Sequence, residues 1–124
     1  MKRIILIVLF VSSMAVSSKA QTKTETKFMQ ITTMESVVGG GLGRSKMLIT
    51  KEDGTQEEKD MNNLFSLTGI NIKNVKENEA SILQTLKTYT DDGWKLISTV
   101  PLTLSPNQNA NGIFLTRYLL SKEK

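Results

Sequence analysis

The chain has 124 residues, no cysteine and no histidine, with 16 basic and 12 acidic side chains. The length fits one domain, and the missing residue types exclude disulfide cross-linking, thiol chemistry and the commonest general base and zinc ligands. Fold stability has to come from burial alone.

Residues 1–20 carry a basic start (Lys2, Arg3), an apolar run from Ile4 to Val11 and a small-residue exit through Ser18 and Ala20. These are the three parts of a secretory signal, and the spacing predicts cleavage after Ala20. A spanning helix needs about 20 apolar residues, and Ser12, Ser13, Ser17 and Ser18 interrupt this run too early. The expected product is exported, to the periplasm or the medium, with no membrane anchor. Lys2, Arg3 and Lys19 leave with the signal, so 13 basic residues face 12 acidic ones in the remainder. That near balance gives little attraction to a phosphate backbone and argues against nucleic acid as a partner.

Residues 21–27 alternate threonine with charge and read as a polar tether. A single domain is expected over 28–124. Alternation through Met29, Ile31 and Thr33 predicts a strand over 28–38. The run Gly39-Gly40-Gly41-Leu42-Gly43 marks a loop. Met47-Leu48-Ile49-Thr50 reads as a second strand closed by the Asp53-Gly54 turn. Residues 55–63 are highly charged, and 64–72 are apolar but broken by Gly69, which leaves a helical turn and an irregular packed segment both open.

Ile82, Leu86 and Tyr89, with Leu83 beside them, predict an amphipathic helix over 75–91. Asn74 with Glu77 has the spacing of a capping box, Asn78 is the rival cap, and Gly93 is placed to end the helix. Asp91 and Asp92 lie at the unfavourable end of the helix dipole, and nothing in the sequence accounts for them. Residues 94–99 read as a third strand ended by Val100-Pro101, and 113–120 as the last. The fold class is therefore α+β: strand, strand, helix, strand, strand, with one helix laid on a small antiparallel sheet.

Gly93-Trp94-Lys95-Leu96-Ile97, with the closing Thr116-Arg117-Tyr118-Leu119-Leu120, resembles a family of small bacterial domains of unknown function marked by a Gly-Trp-Glu-Leu-Val core. Gly41 to Ser45 and Phe65 to Asn71 are similar to uncharacterised exported proteins of Gram-negative bacteria that carry that domain. The resemblance implies the same element order and no assigned activity. Lys95 stands where that family often has an acid. Physically, Trp94 after Gly93 reads as core, its ring turned under the helix.

No residue pattern supports catalysis. Ser45-Lys46 is an adjacent serine and lysine pair after the predicted cut, but neighbours on a strand face opposite ways. Gly43-Arg44-Ser45 resembles the end of a phosphate-binding loop, yet that motif needs lysine at Arg44 and glycine at Val38. Asn107, Asn109 and Asn111 mimic a calcium loop without its carboxylates. No enzyme activity, cofactor or metal is expected. What remains is a non-catalytic interaction domain that meets an envelope protein or glycan through a sheet edge or through Gly41, Gly43, Arg44 and Ser45. The alternative is a carrier of a small apolar ligand, with residues 64–72 as a lid over a pocket between helix and sheet. Either is compatible with pairing of two copies along a sheet edge.

Overall fold

The computed structural model describes residues 24–37, 45–104 and 112–124. Seven strands and one helix follow in the order β1 (Thr26–Ser36), β2 (Lys46–Thr50), β3 (Gln56–Asp60), β4 (Phe65–Ser66), β5 (Gly69–Ile70), α1 (Ile72–Asp91), β6 (Lys95–Leu104) and β7 (Ile113–Glu123). Five strands form one sheet in the order β3-β2-β1-β7-β6, and every pairing is antiparallel. The α+β class and the single helix are as expected. The element order is richer, because β3 and the β4–β5 hairpin stand between the second strand and the helix. Gly41, Gly43 and Arg44, the predicted signal and the Asn107 to Asn111 stretch lie outside the described residues.

The first strand starts at Thr26, two residues inside the segment read as a tether. It is the middle of the sheet, paired with β7 along its whole length from Thr26 opposite Glu123 to Ser36 opposite Ile113. On β1 the side chains of Met29 and Ile31 point toward α1 and are fully buried, joined by Met47 and Ile49 from β2, Leu120 from β7 and Ile82 from the helix. Met61, Leu86, Tyr89, Trp94 and Tyr118 pack around this cluster. Trp94 is thus part of the packed face, as its position after Gly93 implied. Leu83, read as belonging to the same stripe, instead points into solvent. No β6 residue belongs to the core, and all ten of its residues are exposed.

The helix begins one turn earlier than its periodicity implied. Asn71, not Asn74 or Asn78, is the N-cap, its Oδ1 accepting the Asn74 backbone N–H at 3.2 Å. Asn74 is used otherwise, its Nδ2 donating to the Asn63 carbonyl at 2.8 Å. At the far end Gly93 holds φ at 90°, the left-handed conformation that lets the chain turn straight into β6. The two acids there find cations: Asp91 pairs with Lys87 one turn back (2.6 Å), and Lys122 from β7 reaches both the Asp92 carboxylate (3.2 Å) and its carbonyl (2.6 Å). The lysine that offsets the dipole therefore comes from another strand, which helix periodicity does not reveal.

Charged residues 56–60 form an edge strand, although nothing in them alternates. Register puts Lys46 opposite Asp60 and Ile49 opposite Glu57. Lys46 bonds Asp60 at 2.6 Å, and Lys51 bonds Glu57. The β2–β3 turn is set by Asp53, whose Oδ1 accepts from both the Thr55 N–H (2.9 Å) and its hydroxyl (2.7 Å). Those two bonds hold the Asp53 carboxyl below the usual carboxylate range.

The other edge runs through Pro101 without stopping there. The Val37 N–H donates to Gly112 O on the β7 side, while Ser36 O faces the other way and accepts from Leu64 N–H. By the alternation of an antiparallel ladder, Thr33 and Thr116 then exchange bonds with each other. Pro101, opposite Thr116, therefore turns its nitrogen to the free edge. A ring nitrogen with no hydrogen costs no ladder bond in that position.

Candidate functional site

Two features stand out: the sheet face away from α1, and a cavity at the end of the helix-covered face. The open face follows from the pleat. Tyr118 and Leu120 point toward the helix, so Ile113, Leu115, Arg117 and Leu119 point away from it. Register sets Val100 beside Arg117, Leu102 beside Leu115 and Leu104 beside Ile113. It sets Thr32 and Met34 on β1 beside Arg117 and Leu115.

Val100, Leu102 and Leu104 are 46%, 41% and 54% exposed. Rows of five residues on two neighbouring strands make a strip of roughly 10 by 16 Å, bordered on β1 by the buried Thr32. Arg117 stands exposed within it and has no carboxylate partner among the described residues. Toward β3 the same face turns charged, with Lys46 between Glu58 (3.8 Å) and Asp60.

The cavity is about 320 Å³ and is lined by Val37, Leu64, Phe65, Ile70, Val75 and Phe114. Its wall is the β4–β5 hairpin, fixed by backbone bonds from Leu64 N–H to Ser36 O (2.9 Å) and from Asn71 N–H to Leu64 O (2.8 Å). Beside it Asn78, fully buried, donates from Nδ2 to Glu35 Oε1 (3.0 Å) and to Asn62 O (2.8 Å), and accepts the Asn62 N–H at Oδ1 (2.8 Å). Asn62 also donates to Glu77 at 2.7 Å. The residues read as capping candidates thus tie helix, sheet and hairpin approach together. Burial raises the Glu35 pKa above the ordinary carboxylate value, against the lowering effect of the Asn78 bond. Burial, then the charges of Glu35 and Glu79, raise Tyr118.

Of the predicted contact residues only Ser45 is described. It is buried, and its Oγ accepts the Ser36 N–H at 2.9 Å. That hydroxyl holds the entry to β2 against β1. Lys46 beside it is engaged by Asp60 on β3. At the opposite end of the sheet a polar cleft of about 430 Å³ is lined by Glu25, Lys27, Glu52, Asp53 and Lys124, among others. Its charges are largely matched, Lys27 to Glu52 (2.6 Å) and Lys124 to Glu25 (2.9 Å).

Sequence reasoning missed the open face because it ended the third strand at Val100-Pro101. The alternation Val100, Leu102, Leu104 carries on through the proline and was the signal available. Among the described residues no group of acids is placed to hold a metal ion, and no helix is long and apolar enough to cross a membrane. No protein-family model, curated protein or solved structure matches the chain.

Proposed function

We propose that this chain is an exported, non-catalytic binding domain that docks a protein partner on the open face of its sheet. The observation that carries the reading is the row Val100, Leu102, Leu104, half-exposed on a strand that contributes nothing to the core. A sheet with one apolar face uncovered is half of a layered structure, and burial against a second layer is the stable outcome. The partner's chemistry follows from what the strip holds. It needs an apolar centre and a carboxylate opposite Arg117, since an arginine in an apolar surround is a frequent anchor of interfaces. A protein fits this better than a glycan, because Trp94, Tyr89 and Tyr118 pack against the core, and Phe28, the exposed ring on this face, stands at the other end of β1, opposite Ser121. The strip is small for a protein interface, so the complex is a reversible one.

The test uses the full chain, tagged at its C-terminus and recovered after export, to capture partners from envelope extract. One protein retained by the wild type and by Glu58→Ala, but lost with both Leu102→Asp and Arg117→Glu, supports the proposal. An identical set captured by all four forms overturns it. Self-association that Leu102→Asp abolishes makes the partner a second copy of this chain.

A further inference from the structure

We propose that the cavity beneath the β4–β5 hairpin is a binding site for a small neutral hydrocarbon group, an unbranched chain of about ten carbons at most. It is separate from the docking face, being on the helix side of the sheet, and stands or falls independently of it.

Six side chains from four parts of the fold close on this space: Val37 after β1, Leu64 and Phe65 with Ile70 from the hairpin, Val75 from the first turns of α1, and Phe114 from β7. None carries a polar atom. The polar groups of the same segments are spent elsewhere. The Leu64 amide and carbonyl bond Ser36 and Asn71, Asn74 bonds Asn63 O, and the Ser66 hydroxyl donates to Gly69 O. A charged or strongly hydrogen-bonding ligand would lose its water contacts here and regain none.

The walls are also fixed in advance. Asn78 clamps residue 62 on one side and Asn71 caps the helix on the other, so binding does not have to order the hairpin. At about 320 Å³ the cavity is at the small end of ligand sites. With roughly 30 Å³ per water-sized group, it holds on the order of ten non-hydrogen atoms. Ile70 is largely exposed at the rim, which leaves a way out for a polar end group. The ligand class is therefore a short acyl or alkyl chain with its head in solvent.

Decanol is a neutral probe of the right length. It is titrated into the purified protein and followed by the methyl and aromatic proton resonances. The expected result is a saturable shift confined to the six lining residues. Val75→Trp fills the space and weakens binding at least about tenfold. Ile70→Ser, at the exposed rim, weakens it less and guards against misfolding of the first variant. Leu102→Asp, on the other face, leaves binding unchanged. Failure to saturate, shifts centred on Val100 to Leu104, or equal binding by Val75→Trp and the wild type would each overturn the proposal.

Discussion

The two halves of the sheet are made differently. Over β2 and β1 the helix covers one face, cross-strand ion pairs hold the exposed edge strand β3, and Asn78 ties the layers together. At the β6 edge no described element gives cover: β6 is exposed along its length, and its row Val100, Leu102, Leu104 faces away from α1, while its neighbour β7 still contributes Leu120 to the core. The β1–β2 side is closed by the chain's own helix, and the β6 side is left open among the described residues. The comparison teaches that burial marks what keeps the fold, while the exposed apolar alternation on β6 is the feature the docking proposal rests on.

The difference is broken most directly by cutting equal amounts of side chain from each half. Ile31→Ala, in the fully buried centre of β1, is expected to cost about 2–5 kcal/mol. Leu102→Ala on β6 is expected to cost under about 1 kcal/mol, and urea denaturation of the two variants checks the contrast. Asn78→Ala comes next, at about 2–4 kcal/mol, because it strands the Asn62 amide and carbonyl and the Glu35 carboxylate together. Its denaturation curve should also lose steepness if the hairpin opens before the sheet.

Pro101→Val sharpens the edge comparison. It returns an N–H to the free side of β6, so association measured by sedimentation should rise with concentration while the wild type remains as it was. The reverse, a less associated variant, would mean that the proline nitrogen faces β7.

Smaller effects belong to the charged half. Unfolded, Glu35 gives up its proton at the ordinary carboxylate pH; folded, burial moves this upward. In the window between the two values the folded state holds more protons, so stability falls as pH rises through it. Glu35→Gln should remove that slope and leave the protein slightly more stable at neutral pH, read from thermal melts across the acidic range. Smallest of all, Lys46→Ala should leave the denaturation midpoint where it was, since exposed ion pairs contribute little.

What could be read from the sequence depended on whether burial was periodic. Ile82, Leu86 and Tyr89 announced the helix because one stripe of it is buried, and Gly93 announced its end because the turn needs a positive φ. The strand at 56–60 was invisible for the opposite reason. Gln56-Glu57-Glu58-Lys59-Asp60 is exposed on both faces and held by its partners' charges, so no apolar period exists to detect. Pro101 misled because a proline stops an inner strand but not an edge strand, and which strand is the edge is a property of the sheet. The hairpin wall of the cavity has strands of two residues each, too short for any period, although the apolar character of 64–72 did point there. The burial of Ser45 follows from its bond to Ser36, nine positions earlier, a pairing that its glycine-rich neighbourhood does not announce.

The pairing of first strand with last sets a timetable. Lys124 and Glu25, joined by an ion pair, are 99 positions apart, and the ladder between them runs down the middle of the sheet. The central strand can recruit β2 early, but its other side waits for the final residues of the chain. Pairings that close so large a loop form late. Until the last strand is made, β1 keeps one side unpaired, so the topology alone delays closure of the sheet.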